Sequence, residues 1–287
     1  MRIGVLSSDI TRRANTDELF GAIASYGFES AQLSFSSVPE ANFIGSGQFE
    51  FPGRIDDEVI SLIRESAKKH NVEIIAVSGT FNMAHPDYEV RKEGVERFAG
   101  LAKITQKLGV RFISLCAGTR RKESLWTYHP ENSTPQAWDD MICTVKECVK
   151  IAESFDIVLA VETEAATVID TPEKAKRMMN EIGSKNLKMI MDCANLFHAG
   201  EAKKENVNRI ISHAFEIFGG DVVMAHGKDI AESDGIKFCP TGEGIVDYRQ
   251  FIELLKKYNY KGDILLHGIY DEIKLARGFE TVKKAMG

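Results

Sequence analysis

Four side chains able to bind a metal ion each follow a short apolar run in the second half of the chain. Glu162 lies in AVETEAAT, Asp192 in MIMDCANLF, His226 in VMAHGKD and His267 in ILLHGIY. A charged group beside a buried run is costly unless it is paired or bound to a metal. A salt bridge to Lys or Arg is the better explanation for a single residue of this kind, whereas metal binding is the better explanation for four at the same level. Because carboxylates with imidazoles suit Mn, Mg, Co, Fe or Zn, the four residues predict a divalent-metal site.

The elements that would position these side chains alternate along the chain. Eight short apolar, β-branched runs each precede a helix-like segment, and the continuous runs are typical of parallel strands buried on both faces. The predicted strands span residues 3–6, 30–35, 73–77, 110–115, 157–161, 187–191, 221–225 and 263–266. This pattern predicts an α/β fold, a single (β/α)8 TIM-barrel domain over residues 1–287, with the four ligands together at its carboxyl face.

Local signals mark where several helices begin and end. Thr16 is the predicted N-cap of the first helix, and Thr171 before Pro172 is that of the fifth. Gly109 is the predicted C-cap of the third helix. An open doubly wound sheet also alternates strands and helices, but it usually carries G-x-G after its first strand, where this chain has SSDITRR. We therefore prefer the barrel.

The composition limits the partners. Forty-two acidic and thirty-six basic residues give a net charge of −6, which does not favour nucleic acid. Five cysteines without a CxxC pair are typical of reduced intracellular thiols. The opening MRIGVLSS does not resemble a signal peptide, and no run approaches a membrane span, so we expect a cytoplasmic protein with no membrane partner. A homo-oligomer stays open.

Four motifs together resemble one family. The segments VETEAATVIDTPEKA, MDCANLFHAG, AHGKD and GEGIVDY are similar in order and strand placement to the xylose isomerase-like barrel superfamily of sugar phosphate isomerases and epimerases. The resemblance implies that Glu162 binds metal and moves a proton, that Asp192 and His226 are ligands, and that Asn195 contacts substrate. Relatives usually end the eighth strand in Glu, whereas this chain has His267, which could ligate or serve as an acid–base group.

The chemistry that the resemblance implies is proton transfer next to a carbonyl of a small sugar or polyol. Glu162 would remove the proton, and His267 or another group would return it. The product would be an isomer, an epimer or, if a β-hydroxyl leaves, a dehydration product, as in the related inosose dehydratases. A repair endonuclease would need more histidines than the seven present. A barrel that binds a sugar without catalysis also stays open, because the eighth-strand Glu is missing.

Further substrate-binding candidates lie in the long loops after the strands, where barrel enzymes build their active sites. His85 in FNMAHPD either points into the mouth or caps its loop. Arg120 would bind a substrate phosphate bidentately, unless it is an ordinary surface arginine. Lys228 would contact substrate oxygens, and Asp229 would orient a ligand.

Overall fold

Eight parallel strands close into a barrel in the computed structural model, which describes residues 1–287, so the predicted (β/α)8 fold is confirmed. The order around the barrel is β1-β10-β7-β6-β5-β4-β3-β2, with β1 pairing with both β2 and β10. The barrel strands are β1 Ile3–Leu6, β2 Ser30–Leu33, β3 Glu73–Ser78, β4 Phe112–Cys116, β5 Val158–Glu162, β6 Leu187–Asp192, β7 Val222–Gly227 and β10 Ile264–Leu266. A short antiparallel pair, β8 Asp229–Ile230 and β9 Phe238–Cys239, folds over the mouth after β7.

Eight α-helices surround the barrel, one after each barrel strand. They are α1 Thr16–Ser25, α2 Asp57–Lys69, α3 Tyr88–Leu108, α4 Pro135–Ser154, α5 Pro172–Ile182, α6 Lys204–Phe218, α7 Tyr248–Lys257 and α8 Glu272–Met286. None of them combines the length and the apolar character required to cross a bilayer. Their buried faces pack on the outward-facing strand residues in one large apolar cluster.

Two of the three predicted helix caps are found. Thr171 Oγ1 accepts a hydrogen bond from Lys174 N at 3.3 Å, and Gly109 ends α3 in the left-handed region at φ 75°. The prediction for Thr16 is wrong, because Asn15 is the cap and its side chain accepts from Glu18 N at 2.8 Å. Asn caps a helix at least as well as Thr, and the Thr16 hydroxyl instead donates to Glu40.

The inside of the barrel is filled by alternate residues of the strands. Ala160, Ile190, Met224 and Leu265 form a separate apolar cluster with Ala76. Since strand side chains alternate between faces, the residue two positions further along each of these strands also points inward. On the last four barrel strands those positions hold the four predicted ligands, which the fold thus places in one layer above the inner core.

Candidate metal centre at the carboxyl face

Three of the four predicted ligands form a compact cluster. Glu162 and Asp192 end β5 and β6, and His226 lies near the end of β7. Asp192 and His226 are direct partners on neighbouring strands. One ligand atom from each of the three residues lies within 4.8 Å of those of the other two. Adjacent parallel strands therefore bring two carboxylates and an imidazole to one point.

Unpartnered buried atoms show that this cluster fits a cation. Asp192 Oδ2 and His226 Nδ1 are buried and have no hydrogen-bond partner. The His226 Nδ1 atom lies 3.4 Å from Glu162 Oε1 and 3.8 Å from Asp192 Oδ2. The other oxygen of Asp192 is already taken by the backbone N–H groups of Ala194 and Asn195 at 2.8 and 3.0 Å. Because orphaned buried polar atoms are rare in proteins, the residues fit a divalent ion that would satisfy them.

A glutamine on the opposite side of the barrel fixes the orientation of His226. Gln32 Nε2 donates to Ser78 Oγ at 3.0 Å and to Ser114 Oγ at 2.9 Å. The amide oxygen of Gln32 therefore faces His226 Nε2 at 3.0 Å and accepts a hydrogen bond from its N–H group. An N–H held in this way leaves the lone pair on Nδ1, directed at the carboxylates.

Burial and charge together set the protonation of the cluster. Burial raises the pKa of Glu162. Burial opposes the ionisation of Asp192 as well, but the neighbouring His226 and the charge of Lys228 hold its pKa well below the ordinary value. Burial would lower the pKa of His226, but the charge of Glu162 and the contact with Asp192 raise it to about 9. The site thus attracts one positive charge strongly, which a proton or a metal ion can supply.

His267, the fourth predicted ligand, lies beside the cluster rather than within its three-residue core. Its ring centroid is 5.3 Å from that of His226, and its Nδ1 atom is buried without a partner. Burial and the positive charges of Lys228 and His226 lower its pKa well below the ordinary value. His267 is therefore a neutral imidazole that lines the cavity.

The predicted substrate contacts Asn195 and Lys228 both reach the centre. Asn195 Nδ2 donates to Glu162 Oε1 at 2.7 Å, and its Oδ1 accepts from Lys228 Nζ at 2.8 Å. The Lys228 ammonium also lies 3.7 Å from the centre of the Phe238 ring. Opposing burial, the carboxylates of Asp192, Glu162 and Glu164 raise the pKa of Lys228, so the side chain carries a charge. Lys228, Asn195 and Glu162 thus form one hydrogen-bonded chain that ends at the ligand cluster.

The predicted substrate contacts His85 and Arg120 lie outside the residues that line the cavity. His85 Nδ1 accepts from the backbone N–H of Asp87 at 3.1 Å, which matches the loop-capping alternative. Arg120 is buried, and its guanidinium donates to Ala84 O at 3.1 Å and to Asp140 Oδ2 at 2.7 Å. Arg91 binds the other oxygen of Asp140 at 2.9 Å, so Arg120 belongs to a buried ionic cluster behind the loops.

Asp229 does not orient a ligand, contrary to the expectation from its position after His226. Its carboxylate accepts four backbone N–H groups of the seventh loop, those of Ile230, Gly242, Gly244 and Val246, at 2.9 to 3.2 Å. The side chain is buried and acts as the internal anchor of that loop.

Four residues of the site are missing from the sequence-based prediction. Gln32, Ser78 and Ser114 point into the barrel from β2, β3 and β4, and Glu164 lines the cavity two residues beyond Glu162. Burial raises the pKa of Glu164 to about 7, and Cys116 Sγ lies 3.4 Å from its Oε2. The strand periodicity that leads from Ala76 to Ser78 would have found at least one of them, because polar residues at inward positions are unusual.

Fold and site together define a (β/α)8 barrel with a cluster of two carboxylates and an imidazole at its carboxyl face. The chain belongs to the xylose isomerase-like TIM barrel family, whose model matches residues 20–284. The resemblance found in the sequence motifs is thereby confirmed.

Two relatives carry the names of enzymes of different reaction types. The chain is 24% identical over 158 residues to inosose dehydratase of Glaesserella parasuis serovar 5, an alignment that covers 51% of this chain and 52% of that protein. It is 25% identical over 186 residues to L-ribulose-5-phosphate 3-epimerase UlaE of Escherichia coli, covering 65% and 60% of the two chains. The matches thus span about half to three fifths of the length of these relatives.

Solved structures share the fold over its whole length. A D-tagatose 3-epimerase-like protein superposes with a TM-score of 0.76 at 20% identity, covering 100% of this chain and 97% of that chain. The IOLI protein, solved with a zinc atom, has a TM-score of 0.74 at 15% identity, with 99% and 96% covered. At these identities the likeness concerns the fold alone.

Proposed function

We propose that the protein is a divalent-metal-dependent isomerase or epimerase that transfers a proton next to the carbonyl of a sugar. The observation that carries the proposal is the pair of unpartnered buried atoms, Asp192 Oδ2 and His226 Nδ1, beside the Glu162 carboxylate. Glu162, Asp192 and His226 would hold the ion, with His267 as a fourth ligand or as an acid–base group.

A bound divalent ion would supply Lewis acidity at the substrate oxygens and neutralise the negative charge that develops as a proton leaves carbon. Glu162 is the group that would take this proton. Its buried carboxyl has a raised pKa, which brings it closer to the range suited to a general base near neutral pH. Asn195 donates to Glu162 Oε1 at 2.7 Å and so fixes the direction of the carboxylate.

His267 and Lys228 are the groups that would return or supply a proton. His267 is a neutral imidazole in the layer of the ligands, so it would first have to take a proton from a substrate hydroxyl before it could return one to carbon. Lys228 is charged and donates to Asn195 Oδ1, with its remaining N–H bonds free to contact a substrate oxygen. Replacement of the proton at the same carbon would give an epimer, and replacement at the neighbouring carbon an isomer.

Dehydration is the second candidate, and the position of Lys228 favours it. A departing β-hydroxyl needs an acid nearby, and Lys228 is the cationic group of the cavity that lies within a hydrogen bond of Asn195 and the Glu162 chain. Similarity to an inosose dehydratase over 51% of the chain supports this alternative.

The test is exchange of the hydrogen on the carbon next to the carbonyl with solvent deuterium. The exchange is measured by NMR in D2O with a panel of ketoses and inososes. Metal-loaded wild type should incorporate deuterium into the substrate. The exchange rate of Glu162→Gln should be lower by about 10²-fold or more, while its far-UV circular dichroism spectrum is unchanged. Loss of a hydroxyl in place of exchange would identify a dehydratase. Ligand binding by wild type with neither exchange nor elimination would identify a binding protein.

A further inference from the structure

The cavity above the barrel is divided into two chemically different halves. It measures about 500 Å³, which is ordinary for a small-molecule site. Strands β5, β6, β7 and β10 supply the predicted ligands. The half that comes from β1 to β4 and their loops carries hydroxyl groups instead, those of Ser8, Ser34, Ser36, Ser78, Thr80 and Ser114.

These hydroxyls suit the hydroxyl groups of a carbohydrate. Ser78 and Ser114 each accept a hydrogen bond from Gln32, so their own O–H groups are free to donate into the cavity. Ser34 and Ser36 bond to each other at 2.9 Å and leave lone pairs and one proton for a ligand. A surface that both donates and accepts hydrogen bonds suits neutral alcohols, because a hydroxyl group also donates and accepts hydrogen bonds.

The charge of the cavity opposes a phosphate. No arginine lines it, and its one lysine, Lys228, is held beside the ligand cluster by its hydrogen bond to Asn195 Oδ1. Glu50 and Glu164 line the cavity in addition to Glu162. A phosphate carried at the far end of a sugar would therefore find no guanidinium to bind it and would meet carboxyl groups, which repel it when they are ionised.

The backbone N–H groups of the seventh loop are already hydrogen-bonded within the protein. Barrel enzymes often hold phosphate on the loops after the seventh and eighth strands through backbone N–H groups. Here the seventh-loop N–H groups of Gly242, Gly244 and Val246 all donate to the Asp229 carboxylate. An internal carboxylate thus occupies the donors that an external anion would need.

Aromatic rings stand at the mouth of the cavity. Trp126, Phe238 and Tyr270 line it from the loops after β4, β7 and β10, and their exposed fractions are 47, 38 and 83%. Ring faces left open to solvent beside hydroxyl-bearing side chains can stack on the apolar face of a sugar ring. The far end of a ligand therefore meets flat apolar surfaces, and the cation that lines the cavity beside them is Lys228, whose Nζ covers one face of the Phe238 ring at 3.7 Å.

From these observations we infer that the site selects an unphosphorylated, uncharged carbohydrate, whose end away from the metal stacks on Trp126, Phe238 and Tyr270. The inference rests on the proposed function for the placement of the substrate carbonyl at the ligand cluster. It separates this chain from relatives whose substrates carry phosphate.

The test compares matched ligands on the full chain loaded with Mg²⁺: D-fructose with D-fructose 6-phosphate, and D-ribulose with D-ribulose 5-phosphate. Dissociation constants come from ligand-observed NMR, and exchange at the carbon next to the carbonyl is followed in D2O. We expect the free sugar of at least one pair to bind at least about tenfold more tightly than its phosphate. The inference would be overturned if, in both pairs, the phosphate bound as tightly as the free sugar or more tightly. It would also be overturned if none of the four compounds bound.

The two readouts separate this inference from the proposed reaction. Tighter binding of free sugars without exchange would support the inferred ligand class and contradict the proposed isomerase reaction. Exchange that is faster with phosphates leaves the reaction standing and removes the ligand class.

Two variants locate the selectivity. Glu50→Gln keeps an acceptor for Gly47 N, and it should improve binding of the phosphates about threefold or more, because one repelling carboxylate is gone. Glu58→Gln on the exposed face of α2 is the matched control and should leave both affinities unchanged. Trp126→Ala should weaken the free sugars, and Trp126→Phe should restore most of their binding. An unchanged ratio in Glu50→Gln together with unaltered sugar binding in Trp126→Ala would also overturn the inference.

Discussion

The amide oxygen of Gln32 on β2 accepts a hydrogen bond from the Nε2–H group of His226 on β7, across the interior of the barrel. The Oε1 to Nε2 distance is 3.0 Å. Ser78 and Ser114 hold both amide protons of Gln32, so its oxygen cannot turn away without breaking two hydrogen bonds. In the neutral form of His226, which a metal ion requires, the ring nitrogen that faces Glu162 and Asp192 is thereby the one that carries the lone pair. A residue from the first half of the chain therefore prepares a ligand in the second half.

Gln32→Ala should weaken divalent-metal binding by about tenfold to 100-fold, because the His226 ring loses the partner that selects its tautomer. The measurement is titration calorimetry with Zn²⁺ or Mn²⁺ on metal-free protein. Gln106→Ala, at an exposed position of α3, is the control and should bind as wild type does. Equal affinities in the two variants would mean that Gln32 does not position His226.

Asp192→Asn should remove bound metal from the purified protein. The amide can still accept the N–H groups of Ala194 and Asn195, but it loses the negative charge at the unpartnered Oδ2 position. Elemental analysis should find about one divalent ion per chain in wild type and little in the variant, and added metal should raise the melting temperature of wild type alone. The surface change Asp139→Asn on α4 is the control and should retain the metal. A wild type that takes up no ion after reconstitution would contradict the metal site.

His267→Ala should reduce metal affinity less than Asp192→Asn does, because the imidazole lies beside the three-residue cluster. His267→Gln, which keeps a polar group of similar reach, separates the loss of a ligand from the loss of an acid–base group. Full metal content with lost exchange in both variants would assign His267 to proton transfer alone.

Asp140→Asn should destabilise the fold by about 3 kcal/mol, because two buried arginines, Arg91 and Arg120, lose their shared counter-charge. Urea unfolding gives the free energy, with the adjacent exposed change Asp139→Asn as control. Metal affinity should be unchanged, since this cluster lies behind the loops. An unchanged free energy of unfolding together with weakened substrate binding would indicate that Arg120 contacts the substrate.

Asp9 should make stability depend on pH. Burial raises the pKa of its carboxyl to about 7, although its Oδ2 accepts from Ile269 N at 2.9 Å. Unfolded aspartate titrates near about 3.9, so the folded state binds the proton more tightly. The resulting stabilisation is complete below about pH 4 and is lost as the pH rises through about 7.

The measurement is urea unfolding from pH 4 to 8 in excess chelator, comparing wild type with Asp9→Asn. The difference in unfolding free energy should shift against wild type by on the order of 4 kcal/mol across this range. A difference that is constant with pH would show that Asp9 is ionised throughout.

The barrel could be predicted from sequence because each strand and helix carries its own local signal, as the cap at Thr171 and the C-cap at Gly109 illustrate. The clustering of Glu162, Asp192 and His226 followed from strand order alone, since parallel neighbours end at one edge. Boundaries were less accurate. Strand β2 ends at Leu33 rather than residue 35, because residues 35–37 turn into a 3₁₀ segment.

The roles of the loop residues could not be predicted in the same way. Arg120 contacts Asp140, twenty residues away, and Asp229 folds back on the loop that follows it. Nothing in the local sequence distinguishes an arginine that binds a ligand from one that binds a buried aspartate, because the distinction depends on how the loops pack. Gln32 was missed for a similar reason, since its partner His226 is 194 residues further along.

The division of the cavity also has a temporal consequence during synthesis. The hydroxyl-bearing half leaves the ribosome first, before Glu162 or any other ligand has been translated. A nascent chain can therefore acquire no ion at this centre until β7 has emerged, and the two halves join only when β10 inserts between β7 and β1. Metal uptake would thus report that β5, β6 and β7 are in place, whereas closure of the ring needs β10 and brings His267 beside them.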